Sequence, residues 1–148
     1  MNNQINLFTI GFTQKNAQKF FETLKKTGIN RVIDTRLNNV SQLAGFAKKQ
    51  DLEYFLKTIG DIDYVHILDL APTRDILDEY KKKKGDWSVY EQKFLKLISD
   101  RQIEKKVSSD LINNSCLLCS EAEPHHCHRR LVAEYLNDKW GNVSIHHL

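Results

Sequence analysis

Apolar and polar positions along the chain change period several times, and each change predicts an element. Residues 7–10 form a short apolar run with the character of a buried strand, and Gly11 frees the backbone to turn. Ala17, Phe20, Phe21 and Leu24 then recur at helical spacing, with Thr13 as the predicted cap and Gly28 as the stop. Residues 31–34 read as a second strand ending in the polar group Asp34, Thr35 and Arg36. A loop rich in Asn, Ser and Gly follows, over 37–45. Asp51 is the predicted cap of a short helix with Leu52, Phe55, Leu56 and Ile59 on one face, ended by Gly60.

Residues 64–68 predict a third strand, followed by a Pro-containing connection over 69–74 and a polar helix over 75–84. Gly85 separates that helix from a longer one with the stripe Trp87, Tyr90, Phe94, Leu97, Ile98 and Arg101. Residues 116–120 predict the fourth strand, 127–137 the last long helix, and 143–145 a final strand. Strands separated by helices of these lengths predict an α/β fold, with a largely parallel sheet flanked by helices as a single three-layer domain over 1–148. Crossovers should be right-handed, and strand order stays open.

The 148 residues suffice for a hydrophobic core without disulfide or metal, and a net charge of +3 permits an anionic partner without requiring one. The lysine run 81–84 reads as a solvated helix end. No leader-like segment opens the chain and no stretch approaches the ~20 apolar residues that span a bilayer, so a cytoplasmic setting without membrane is expected.

Chemistry concentrates at predicted strand ends. The carboxyl ends of parallel strands share one edge, where ligands usually bind. The first end offers Thr9 and Gly11, the second Asp34 and Arg36, the fourth Cys119 and Glu121. Residues two apart on a strand share a face, so each of the last two pairs projects together. The plainer reading of Asp34 with Arg36 is a structural ion pair. Residues 116–130 hold all three cysteines and three of the six histidines. Cys116 and Cys119 have Cys-x-x-Cys spacing, but three apart on a strand they face opposite ways, so Cys116 reads as a small buried hydrophobe. Pro124 sharpens the passage into the last helix. Cys127, His128 and Arg129 fall at its amino end, where unpaired N–H groups attract anions and lower a thiol pKa. Arg129, helped by Arg36 and Arg74, is the predicted anion anchor, and Arg130 is expected to lie at the surface or to pair with Glu134. His146 and His147 read as exposed terminal residues.

Two other uses of these groups stay open. Cys119, Cys127 and His128, with His125 or His126, could form a zinc shell, although no turn-type cysteine pair or helical His spacing supports it. Cys119 or Cys127 could instead be a nucleophile, with His128 or His66 as base and Glu121 or Asp34 as orienter. No cofactor is called for.

Thr9, Ile10, Gly11 and Phe12, the segment Val32 to Arg36, Leu117 to Glu121, the run Cys127, His128, Arg129, and the ending Val143 to His147 together resemble DUF488, a widespread family of small bacterial and archaeal proteins. The Cys-x-Glu and Cys-His-Arg pieces are the specific ones. The family opening usually reads Thr-Ile-Gly-His-Ser, where this chain has Phe12 and Thr13. Its arginine loop often carries proline, where this chain has Leu37, Asn38, Asn39, Val40 and Ser41 before Phe46. The resemblance implies an α/β domain and the site positions above, and carries no settled activity. The expected function is binding of a phosphate-bearing ligand, a nucleotide or nucleic-acid end, with turnover and subunit number left open. The rival expectation is a non-catalytic nucleic-acid-associated or regulatory module, or a structural cysteine–histidine clasp.

Overall fold

The computed structural model describes residues 4–39, 45–121 and 123–148; the predicted loop positions Val40 and Ser41 lie outside them. Five strands, β1 (Ile5–Gly11), β2 (Arg31–Asp34), β3 (Asp63–His66), β4 (Ser115–Cys119) and β5 (Val143–His147), form one sheet in the order β3-β2-β4-β1-β5. Every pairing is parallel, with Gly11 beside Cys119 and Asp34 beside Leu118.

The chain order fixes which face each helix covers. From β1 to β2 and β3 the chain steps one way across the sheet, and from β3 to β4 and β5 it steps back. Right-handed crossovers then send the helices of the two halves to opposite faces. Accordingly α1 (Ala17–Thr27) and α2 (Lys49–Gly60) bury Phe20, Phe21, Leu24, Leu52 and Leu56 against Ile10, Val32, Cys116 and Leu118. On the other face lie α3 (Arg74–Lys81), α4 (Trp87–Arg101), two four-residue helices α5 (Ile103–Lys106) and α6 (Ser109–Ile112), and α7 (His128–Trp140). There Phe94, Ile98, Leu131, Val132 and Leu136 close over Leu7, Ile33 and Leu117. Alternation along the strands thus divides the core into two apolar clusters, and the fold is the three-layer α/β arrangement expected.

Several boundaries differ from the sequence pattern. Asn16, not Thr13, caps α1, accepting a bond from the Lys19 N–H at 2.8 Å. Thr13 instead donates its hydroxyl to the Ser120 carbonyl, and its N–H reaches the same oxygen at 3.1 Å, so it fastens the loop after β1 to the loop after β4. Lys48 stands at the start of α2 and Asp51 lies in its first turn, where its charge complements the helix dipole. β3 ends at His66, because Leu68–Leu70 coils into a short 3-10 turn. Thr73 caps α3, which stops at Lys81, while Cys127 stands at the start of α7, which runs on to Trp140. Gly28 ends α1 in the left-handed region, as read.

Candidate functional site

Between β1 and β4 the chain leaves in opposite directions, the usual place for a ligand crevice in a parallel sheet. Here the protein fills that place itself. Arg129, from the first turn of α7, is fully buried and donates Nη1–H to the Glu121 carbonyl at 2.5 Å and to Cys119 Sγ at 3.0 Å. Its Nε–H donates to Thr9 Oγ1 at 3.2 Å, and Thr9 bonds His147 Nδ1 at 2.6 Å. Gly11 permits this close packing. A Cβ there would overlap the Glu121 carbonyl oxygen and stand 2.9 Å from Arg129 Nη1.

Beside that plug, between the ends of β2 and β4, a cavity of about 200 Å³ opens. Arg36, Leu37 and Asn38 line it from the segment after β2; Cys119, Ser120 and Glu121 from the end of β4 and the loop beyond; His126, Cys127 and His128 from the entry into α7. The fourth side is aromatic: Tyr80 from α3, with Trp87 and Tyr90 from the first turn of α4. Trp87 stacks on Tyr90 at 5.0 Å between centroids and on His126 at 5.0 Å, and Tyr80 tilts against Tyr90 at 5.1 Å. Lys81 pairs with Glu121 at the rim, both partly exposed.

Arg36 is the buried charge of this wall. Asp34, itself fully buried, accepts from its Nε at 2.9 Å, its Nη2 at 2.8 Å and its backbone N–H at 3.1 Å. Nη2 also donates to the Ala47 carbonyl at 2.7 Å, and the guanidinium lies 5.4 Å from the centre of the Phe12 ring. Phe12 occupies the position where the family opening has histidine, and supports the cation with its π face. Tyr64 donates its hydroxyl to Asp34 at 2.6 Å, and burial, then this bond, raises its pKa. Arg36 is only 3% exposed, yet its Nη1 has no hydrogen-bond partner among the described residues. A guanidinium nitrogen left so inside a protein is costly unless something else accepts from it.

His128 is buried with its Nε2 2.7 Å from the Thr35 carbonyl. A carbonyl only accepts, so Nε2 carries the proton and Nδ1 is the lone-pair side. Burial, outweighing the Thr35 bond, lowers the pKa to about 4. Neutral imidazole is therefore the native form, and His128 is a poor base at neutral pH. The unfolded chain takes up a proton near pH 6.5 that the folded chain refuses until about pH 4. This contribution to stability is complete above pH 6.5 and lost as pH falls toward 4. From pH 7 to pH 5 the wild type should lose about 2 kcal/mol more than His128→Gln in urea unfolding. Equal losses would show that His128 is not buried neutral.

The sequence-derived residues therefore separate into two groups. Cys119, Glu121, Arg36, Cys127 and His128 meet around the cavity. Asp34, Thr9, Gly11 and Arg129 stand behind its walls, and the guanidinium expected to hold an anion is spent on Thr9, Cys119 and Glu121 instead. Arg74 is exposed at the start of α3 and does not line the cavity, so it does not close the site. His66 bonds the Arg36 carbonyl at 2.6 Å, and so braces the loop rather than facing a nucleophile. Cys119 and Cys127 are joined as a disulfide, so neither stands as a thiolate in this state, and the zinc shell drawn from them does not assemble. Among the described residues no group of three or more His, Cys, Asp or Glu is gathered as metal ligands. Cys116 is buried on the opposite face and Arg130 pairs with Glu134 at 3.1 Å, both as read. His146 and His147 are both exposed, as expected; His146 stacks on Phe8, and His147 Nδ1 lies 2.6 Å from Thr9 Oγ1.

Tyr80, Lys81, Trp87 and Tyr90 were not singled out as site residues, and His126 was named only as a possible zinc ligand. For Trp87 and Tyr90 the signal was two rings at the amino end of one helical stripe, shortly after the lysine run 81–84.

A sequence model of the family described as "Domain of unknown function DUF488" matches residues 16–136. The chain belongs to the DUF488 family. The match takes in Asp34, Arg36, the aromatic wall and the whole segment from Cys116 to Arg130, and leaves β1 and β5 outside it. No curated protein matches the chain, and no solved structure does. Among the described residues no helix is long and apolar enough to cross a membrane.

Proposed function

We propose that this DUF488 protein binds a small phosphate-bearing ligand with a stackable ring, of the nucleotide class, in the cavity between β2, β4 and α7. The observation that carries the reading is Arg36, a buried guanidinium in the cavity wall with one nitrogen lacking a protein acceptor among the described residues. Phosphate oxygens are the natural acceptors for that nitrogen, which is closed to solvent in this state and must be uncovered for the contact to form. The amino end of α7 adds the positive end of a 13-residue helix on the same side. Opposite them, Tyr80, Trp87, Tyr90 and His126 offer ring surface suited to a base. Asp34 and Glu121 are already matched by Arg36 and Lys81, so neither leaves an unopposed negative charge against the ligand.

Calorimetric titration with nucleoside monophosphates, short oligonucleotides and inorganic phosphate separates the parts of this reading. Arg36→Lys should weaken all phosphate ligands, because lysine cannot present the second nitrogen. Trp87→Ala should weaken nucleotide binding about 10-fold, the scale of one base–aromatic stack, and leave inorganic phosphate unchanged. Trp87→Phe should restore most of the loss. If nucleotides bind both Arg36→Lys and Trp87→Ala as tightly as wild type, or bind none of the three, the assignment is wrong.

A further inference from the structure

The Cys119–Cys127 bond lies in the cavity wall, and its surroundings include groups that stabilise a thiolate. Arg129 Nη1 donates to Cys119 Sγ at 3.0 Å. A guanidinium stabilises a thiolate strongly and a neutral disulfide sulfur very little, so this contact is suited to a cysteine that spends time reduced. Cys127 occupies the cap position of α7 without a side-chain hydrogen bond, the position where a thiolate is favoured by the helix N–H groups. The backbone around the pair is also held independently of the bond. Arg129 grips the Glu121 carbonyl, the Cys127 N–H reaches the Pro124 carbonyl at 3.2 Å, and Thr13 ties down Ser120. Opening the disulfide leaves those ties in place.

We propose that Cys119 and Cys127 are a redox-active pair, oxidised from dithiol to disulfide by a small hydroperoxide and returned to dithiol by a low-molecular-weight thiol. The sulfurs belong to residues 1% and 3% exposed that line a cavity of about 200 Å³. Cys127, the more accessible, attacks first. Its thiolate takes the distal oxygen of the peroxide, the O–O bond breaks, and the leaving alkoxide or hydroxide takes a proton to give alcohol or water. The Cys127 sulfenic acid is then attacked at sulfur by the Cys119 thiolate, forming the S–S bond and releasing hydroxide, which is protonated to water. Two electrons pass from the thiols to the peroxide. Two molecules of external thiol supply them back, leaving as their own disulfide. This proposal does not depend on the nucleotide reading.

Cys116 provides an internal standard, being fully buried on the other face with its thiol pKa raised by burial. The experiment treats reduced full-length protein with one equivalent of hydrogen peroxide, then alkylates and maps thiols by mass spectrometry, with circular dichroism before and after. Loss of Cys119 and Cys127 thiols together, intact Cys116, retained fold in both states and recovery with glutathione are expected. Cys119→Ser should stop at a Cys127 sulfenic acid that a dimedone probe captures, and Cys116→Ala should behave as wild type. The oxidation rate should titrate with a midpoint below the ~8.5 of a free thiol. A midpoint at or above that value, unfolding on reduction, or a disulfide that glutathione cannot open in the folded protein would overturn the proposal.

Discussion

Gly11→Ala is expected to destabilise the protein by about 3 kcal/mol or more, the upper end of overpacking effects. The added carbon would meet a backbone carbonyl, that of Glu121, rather than the end of a flexible side chain. Relief therefore requires β1 and the segment after β4 to separate. Separation in turn draws the Glu121 carbonyl away from Arg129, whose guanidinium is fully buried. Urea unfolding gives the result directly. A change below about 1 kcal/mol would mean that Gly11 is not pressed against the β4 loop. By contrast, a matching substitution at Gly45, where an added Cβ meets nothing within 4 Å among the described residues, should be close to neutral.

Asp34→Ala should cost about 3–5 kcal/mol, the usual consequence of stranding a buried charge. It removes the acceptor for Arg36 Nε and Nη2 and for the Tyr64 hydroxyl in one step. The cost belongs to the orphaned guanidinium more than to the lost ion pair. Asp34→Ala combined with Arg36→Met should therefore recover a substantial part of the stability, although it abolishes the proposed anion contact. If the double variant is as unstable as the sum of two independent lesions, the pair is not coupled as described. Asp34 does not line the cavity, so its influence on any ligand passes through the position of Arg36.

The layered fold was legible because its signals are local. Runs such as Arg31–Asp34 and the stripe through Tyr90, Phe94 and Ile98 bury the side chains their periods select. Local signals failed where a distant partner decided the outcome. Thr13 looks like a cap until Ser120 is brought beside it, and a capping asparagine three residues later then takes over. Arg129 reads as an anion anchor at a helix amino end. Only the approach of Gly11 to Glu121 turns it inward and seals the crevice. The pairing of Cys119 with Cys127 bridges a loop whose path eight residues of sequence do not determine. Trp87 and Tyr90 belong to an apolar stripe, and the same stripe serves both the core and the cavity wall. Periodicity selects a face without saying whether protein or ligand covers it.

The most direct measurement is a crystal structure of the protein soaked with the nucleoside monophosphate that binds best in calorimetry. Oxyanion density within about 3 Å of Arg36 Nη1, with the base against the Tyr80–Trp87–His126 wall, is the predicted result. A nucleotide bound elsewhere on the surface while the cavity keeps only water would contradict it.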